Sequence, residues 1–85
     1  MDTEPVPIAY AALQRGTPVQ TNDGREFGTV AAVLVDEPVD VFGGINVETA
    51  AGTRFVDADQ IGRIFTTYVC TTLSWGETAH LPGPH

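Results

Sequence analysis

The tripeptide Asn22-Asp23-Gly24 restricts the fold of this chain more than any other short segment. Asn, Asp and Gly accept the positive backbone φ angles of a tight hairpin turn, and strand-like runs lie on both sides of this one. Pro18-Val19-Gln20-Thr21 precedes the turn, and the long run from Arg25 to Asp36 follows it. The sequence therefore predicts an antiparallel β-hairpin in which the second strand is much longer than the first.

The apolar residues of the long strand do not alternate with polar ones. Phe27 and Val30 are three residues apart, and so are Val30 and Val33. A regular strand would place the members of each pair on opposite faces, so we expect one irregularity near Gly28 and another at Ala31-Ala32. Such β-bulges bend a strand, and a long bent strand is how a small barrel closes.

Before the hairpin, the pattern predicts a flexible lead-in and one short helix. Residues 1–7 contain two prolines and two acids, which favour an extended or disordered segment. Ile8 to Arg15 follows a proline and ends before a glycine, which is the usual order of these residues around a helix. Because two helical turns are not stable alone, we expect Tyr10 and Leu13 to plug an open end of a larger structure.

After the hairpin, the sequence predicts a loop over 37–43, a second hairpin, a capped turn and a last strand. The second hairpin has strands at 44–48 and 54–56. Asp57-Ala58-Asp59-Gln60 has an acid followed three residues later by glutamine, the pattern of a capping box, which predicts a 3-10 or helical turn near 57–62. This turn would deliver Ile61 and Ile64 to the core. We expect a strand over 65–74 and an irregular tail over 75–85.

Size, charge and cysteine content exclude several classes of protein. With 85 residues the chain makes one small domain, which we place at 8–74. Four arginines against eleven acids give a net charge of −7, which argues against non-specific nucleic-acid binding. No run approaches the ~18 apolar residues that cross a bilayer, so we expect no membrane insertion. The single cysteine cannot form an internal disulfide, and the acidic N-terminus is unlike a signal peptide, so we expect a cytoplasmic protein.

No constellation of residues predicts catalysis, a cofactor or a metal ion. His80 and His85 lie in the Pro/Gly tail, and neither they nor Cys70 have the rigid spacing of a Cys/His metal site. The acids at 36–40 lack the pattern of a calcium loop. Ser74 has no G-x-S-x-G motif around it. We therefore expect a non-enzymatic protein with no cofactor and no metal site.

Six short segments between residues 13 and 73 carry a resemblance to a known family. They are Gly16-Thr17-Pro18-Val19, Asp23-Gly24, Phe27-Gly28-Thr29-Val30, Val33-Leu34-Val35-Asp36, Gly44-Ile45-Asn46-Val47 and Phe55-Val56-Asp57-Ala58-Asp59-Gln60-Ile61. In their order and spacing they resemble the PRC-barrel family, whose barrel occurs in the cytoplasmic part of the photosynthetic reaction centre and in the C-terminal half of the ribosome maturation factor. Family members often have proline where this chain has Val56, and the tail from Trp75 has no counterpart.

The resemblance implies a mainly β fold, a small antiparallel β-barrel of six or nearly six strands. It also implies a role in binding other macromolecules. It brings no catalytic residues, because the family has no shared active site.

The predicted loop contains the first candidate contact surface. Val39, Val41 and Phe42 lie there among acids and glycines. If these side chains are exposed together, they form an apolar patch of the kind that marks contact surfaces. The alternative is that Phe42 folds back onto one end of the barrel.

The predicted last strand contains the second candidate surface. Phe65, Val69 and Leu73 would occupy one face, and Ile64, Tyr68 and Cys70 the other. Both faces are partly apolar, although only one can face the interior of a small barrel. The N-terminal helix, Trp75 and Leu81 of the tail, or a second copy of the chain would cover the outer face.

These observations favour a non-enzymatic protein-binding or assembly module that docks on a protein partner or on itself as a homodimer. The partner-binding residues would be Val39, Val41, Phe42, Ile64 and Tyr68. The alternative is a small ligand-binding barrel or minor enzyme, which a cavity of several hundred Å³ at Asp57, Asp59 or Arg63 would favour. A third option, specific RNA contact, rests on analogy of fold and requires all four arginines on one face.

Overall fold

Six β-strands form one sheet in the computed structural model of the protein, which describes residues 7–36 and 41–85. The strands are β1 (Pro18–Gln20), β2 (Glu26–Asp36), β3 (Val41–Thr49), β4 (Gly52–Asp57), β5 (Ile61–Ile64) and β6 (Val69–Thr71). Three 3-10 helices, at Tyr10–Ala12, Ala58–Gln60 and Gly76–His80, are the helical elements of the described residues. The protein is therefore a small, mainly β domain, as predicted.

The strand order in the sheet is β4-β3-β2-β1-β6-β5. Neighbouring strands are antiparallel except β1 and β6, which run parallel with Val19 opposite Val69. Within the described ranges, the edge strands β4 and β5 do not pair with each other, so the sheet is not closed into the antiparallel barrel that we expected. The sequence predicted one last strand where the structure has β5 and β6. The turn between β5 and β6 reverses the direction of the chain, and β6 therefore runs parallel to β1.

Both irregularities predicted for the long strand are present. The register of β2 against β1 skips Phe27, next to Gly28, and the register of β2 against β3 skips Ala31. These skipped residues shift the side-chain alternation, because a one-residue slip moves the following side chains to the other face. Val30 is consequently buried in the core, and Phe27 and Val33 pack against it. The apolar spacing in the sequence thus located the two bulges correctly.

The core lies on one face of the sheet. Its buried members are Leu13, Val19, Val30, Ile45, Val47, Val56, Val69, Leu73 and Leu81, and Phe27, Val33, Phe42, Ile61 and Ile64 pack against them. Val56 comes from one edge strand and Ile64 from the other, yet both contact the same cluster. The sheet must therefore curl around its core.

The N-terminal segment forms one 3-10 turn, Tyr10–Ala12, and the helix predicted over Ile8 to Arg15 is wrong. Leu13 already has an extended backbone, and its side chain is buried in the core. A segment this short gains more from inserting Leu13 into the core than from continuing a helix that is unstable alone. The burial of Leu13 in the core is therefore as expected, although the helix is not present.

The single strand predicted over 65–74 is also wrong. A turn closed by the bond from the N–H of Phe65 to the carbonyl of Tyr68 (2.9 Å) separates β5 from β6. The rings of these residues contact each other across the turn, with centroids 4.8 Å apart. Thr66 and Thr67 form the turn without glycine or proline, and their high β-propensity concealed it.

The loop predicted over 37–43 and the irregular tail over 75–85 also need correction. Positions 37–40 lie outside the described residues, and residues 41–43 belong to β3. The tail contains the 3-10 helix Gly76–His80, and the side chain of Leu81 after it joins the core. The C-terminal segment therefore packs on the domain.

Candidate functional site

The fold separates the residues of the predicted loop patch. Val39 lies outside the described residues. Val41 begins β3 with 55% of its surface exposed. The ring of Phe42 stacks on Tyr10 with centroids 4.8 Å apart and also packs against the core. Of the two interpretations of Phe42, the structure therefore favours the inward one, and Val41 is the exposed member of the pair.

Ile64 and Tyr68 do not share the outer face of one strand, because the turn lies between them. Ile64 ends β5, packs against the core and accepts the N–H of Ile8 on its carbonyl at 3.0 Å. Tyr68 is half-buried at the end of the turn. Ile8 lies two residues before Tyr10, which stacks on Phe42. The N-terminal segment therefore connects two regions that the sequence pattern had presented as separate surfaces.

An open groove of about 670 Å³ lies beside the end of the β2–β3 hairpin at which β2 ends and β3 begins. We call it the hairpin groove, and its lining residues are Val33, Leu34, Val35, Gly43, Phe55, Asp57 and His85. Five of the seven lining residues within the described ranges are apolar or glycine, but polar atoms contribute nearly half of the lining surface, and Asp57 and His85 contribute a carboxylate and an imidazole. The exposed Val41 is two residues from Gly43 in β3, so the hairpin groove lies next to the part of the loop patch that remains accessible.

The C-terminal segment reaches the hairpin groove through His85, which lines it. The carbonyl of Pro82 accepts the N–H of Phe55 at 2.9 Å, and the N–H of His85 donates to Oδ1 of Asn46 at 3.0 Å. The imidazole of His85 stacks on the ring of Phe55, with centroids 4.5 Å apart and an interplanar angle of 24°. A proline-containing segment thus already runs from the edge strand β4 to Asn46 of β3.

Asp57 lines the hairpin groove and also caps the second 3-10 helix. Its carboxylate accepts the N–H of Asp59 at 3.0 Å, and its own N–H donates to Oε1 of Gln60 at 3.0 Å. The predicted capping box is therefore confirmed. Asp59 and Arg63 are exposed and do not line the groove. Of the three residues named for the ligand-binding alternative, one faces a cavity of the expected size.

A second groove, of about 310 Å³, was not anticipated from the sequence. We call it the Trp75 groove, and its lining residues are Phe27, Thr49, Ala50, Ala51, Trp75, Gly76, Thr78 and Ala79. Trp75 is 48% exposed, and the guanidinium of Arg25 lies 5.2 Å from the centre of its ring. This distance allows a cation–π interaction.

A reciprocal cap positions the indole in the Trp75 groove. The N–H of Ser74 donates to Oε1 of Glu77 at 2.8 Å, and the N–H of Glu77 donates to Oγ of Ser74 at 3.3 Å. The hydrogen bonds from Ser74 lower the pKa of the Glu77 carboxyl below its usual value. Ser-x-x-Glu is a capping-box pattern, so this element had a signal in the sequence that was missed.

Local contacts occupy two of the four arginines. Arg54 donates from Nη1 to the carbonyl of Thr53 and from Nη2 to that of Ala51, both at 2.9 Å. Nε of Arg25 lies 3.8 Å from the carboxylate of Asp23. A hydrogen bond from Thr21 and the charge of Arg25 lower the pKa of this carboxyl. These contacts reduce the support for RNA binding through all four guanidinium groups.

Across residues 7–36 and 41–85, no group of three or more His, Cys, Asp or Glu side chains is arranged to hold a metal ion. No helix in the same ranges combines the length and the apolar character that crossing a bilayer requires.

Neither a known family model nor a curated protein matches this sequence.

Proposed function

We propose that the protein is a non-enzymatic binding module of PRC-barrel type, which docks on a protein partner or on a second copy of itself. The main support is the hairpin groove, in which partly exposed apolar side chains, among them Leu34, Val35 and Phe55, lie beside the exposed Val41. A partner that covers these side chains removes apolar surface from water, which is the main favourable contribution to most protein association. The net charge of −7 favours a basic partner and a fast encounter at low salt.

The curvature of the sheet supports the barrel part of this proposal. Val56 of β4 and Ile64 of β5 pack against one core, although hydrogen bonds do not join their strands. The second 3-10 helix, Ala58–Gln60, makes the covalent connection between these two edges. We regard the domain as a barrel-like sheet whose final seam is bridged by this capped turn.

A second candidate function is the binding of a small ligand in the same hairpin groove. The volume of about 670 Å³ lies within the range of ligand sites, and Asp57 contributes a carboxylate to its lining. However, that carboxylate already accepts the N–H of Asp59, and the groove is open beside a strand edge. A protein segment suits such a shape better than a compact ligand does.

Val41→Asp tests the proposed function, because it places a charge at the exposed edge of the apolar surface. Light scattering first shows whether the wild-type protein self-associates, and affinity capture from the native host then identifies any partner. We expect Val41→Asp to weaken the observed association by at least about tenfold, which corresponds to about 1.4 kcal/mol.

Asn22→Asp is the matched control for this experiment. It adds the same charge to an exposed turn at the opposite end of β2 and keeps a residue type that tolerates turn geometry. The control should retain the association. If Val41→Asp keeps the same partners and the same mass in solution as Asn22→Asp, the proposed docking surface is rejected.

A further inference from the structure

We infer that the edge of β4 beside the hairpin groove recognises a proline-containing peptide with an aromatic or imidazole ring, bound in the position that residues 82–85 occupy. This inference rests on the proposed function and specifies the chemistry of the partner. The evidence comes from the edge of β4, from the ring of Phe55 and from the charge around the hairpin groove.

The edge of β4 offers the backbone groups of Phe55 between two positions at which one group is already taken. The N–H of Phe55 points away from β3 and donates to Pro82. Thr53 and Asp57, two residues to either side, also direct backbone groups outward because strand pairing alternates. Arg54 already occupies the carbonyl of Thr53, and Gln60 occupies the N–H of Asp57. An added strand could therefore pair with Phe55, but it would find the carbonyl of Thr53 and the N–H of Asp57 already taken.

This arrangement favours proline in the bound segment. An ordinary strand would bring an N–H group to the position of Thr53, where the carbonyl acceptor is already taken, and an unpaired donor weakens binding when it loses water. Proline has no N–H, so it leaves no such donor. Its restricted backbone is also extended before binding, which reduces the entropy lost on docking. Pro82 and Pro84 in the resident segment fit this requirement.

The remaining contacts define the rest of the peptide. The ring of Phe55 accepts a stacked ring three residues after the bonded carbonyl, as His85 shows. Asp57 contributes a carboxylate to the lining, so a basic ring or a basic neighbour suits the site better than an acid does. The open volume bounded by Val33, Leu34 and Val35 accepts an additional apolar side chain.

The peptide acetyl-Leu-Pro-Gly-Pro-His-amide, which repeats the sequence of residues 81–85, tests this inference on the full-length protein. Titration into ¹⁵N-labelled protein should shift the backbone amide of Phe55 and the side-chain amide of Asn46. The resident segment competes with the added peptide, so loosening it with His85→Ala should tighten binding of the added peptide by about tenfold. Acetyl-Leu-Ala-Gly-Ala-His-amide should bind about tenfold more weakly, because it restores the unpaired N–H groups.

Phe55→Leu provides a second variant that keeps an apolar side chain of similar reach but removes the stacking ring. In the His85→Ala background it should weaken binding of the proline peptide several-fold. The inference is overturned if the added peptide binds neither the wild type nor His85→Ala. It is also overturned if binding leaves the Phe55 and Asn46 signals unchanged, or if the alanine peptide binds equally well. Each of these results can occur while Val41→Asp still abolishes association, so failure of this inference is distinguishable from failure of the proposed function.

Discussion

The hairpin groove and the Trp75 groove each adjoin a 3-10 helix with a reciprocal cap, but they are built differently. Asp57 and Gln60 form the cap beside the first groove, and Ser74 and Glu77 form the one beside the second. The hairpin groove takes its lining mainly from β2, β3 and β4, which are held by backbone pairing between consecutive strands. The Trp75 groove takes most of its lining from the turn at 49–51 and the segment 75–79.

This difference indicates which forces maintain each surface. Pairing between strands depends on the whole sheet, so the part of the hairpin groove formed by β2, β3 and β4 should change mainly when the sheet itself is destabilised. A surface formed by turns depends on local caps and surface charges, each of which contributes little to global stability. We therefore expect the strand-built part of the hairpin groove to be more rigid than the Trp75 groove, which would suit the proposed recognition of a peptide.

Gly44→Ala should show the largest effect, because it alters the sheet beside the hairpin groove. Gly44 has φ +141°, and a Cβ there would collide with the carbonyl oxygen of Val56 and approach Cε1 of Phe55 to 2.9 Å. Backbone strain and overpacking together should lower the free energy of unfolding by about 3 kcal/mol. Urea denaturation followed by circular dichroism measures this loss.

Gly76→Ala is the corresponding change at the Trp75 groove. A Cβ there would meet no atom within 4 Å, and the residue has no positive φ. Its effect should stay within about 0.5 kcal/mol, as for most surface substitutions. If both variants lose the same free energy of unfolding, the two grooves depend on the sheet to the same extent.

Local sequence patterns predicted the elements whose causes are local. The three-residue spacing of Phe27, Val30 and Val33 located two bulges, since only a shifted alternation can place all three on one face. The acid and glutamine at 57 and 60 predicted a capped turn because both hydrogen bonds form within four residues. Ser74 and Glu77 form a reciprocal cap in the same way. The proline and glycine residues further along the tail favoured an irregular segment there, so this capping-box pattern was not recognised.

The groove could not be predicted in this way, because its parts are distant in the chain. Its tail side depends on Leu81 entering the core and on Pro82 meeting the N–H of Phe55, which is a contact between residues far apart in sequence. The turn at 65–68 carries neither glycine nor proline, and its closing contact between Phe65 and Tyr68 depends on strand pairing elsewhere. Because the sequence pattern did not predict that turn, it could not predict the parallel pairing of β6 with β1 either.

Asp57→Ala and Ser74→Ala compare the two caps directly. Asp57→Ala removes the acceptor for the N–H of Asp59, and loss of such a cap should lower the free energy of unfolding by about 1 kcal/mol. Ser74→Ala removes a longer bond of 3.3 Å, so its loss should be about 0.5 kcal/mol. Urea denaturation measures both losses, and the Phe55 amide shift and Trp75 fluorescence report which groove has changed.

Asp57→Asn is the control, because its amide oxygen can still accept the N–H of Asp59 and should restore most of the lost stability. The Phe55 amide should move in Asp57→Ala but not in Ser74→Ala, and Trp75 fluorescence should show the opposite pattern. Coupled changes of both reporters in either variant would contradict the independence of the two caps.

The smallest expected effect is the response of the Trp75 groove to acid. Because hydrogen bonds from Ser74 lower the pKa of Glu77 in the folded protein below its usual 4.5, the ionised carboxylate favours folding. This contribution is complete above the unfolded pKa and is lost as the pH falls through the lower folded value. Trp75 fluorescence in urea titrations between about pH 6 and pH 3 should therefore show a midpoint that decreases below pH 4.5.

Glu77→Gln, which keeps an oxygen for the N–H of Ser74 but cannot ionise, should flatten that decrease and leave the part due to Asp23, whose pKa is also lowered. If the urea midpoints of the wild type and Glu77→Gln fall in parallel as the pH decreases, the Glu77 cap does not contribute to the pH dependence. A smaller decrease in Glu77→Gln would show that a single exposed carboxylate helps to hold the segment beside Trp75.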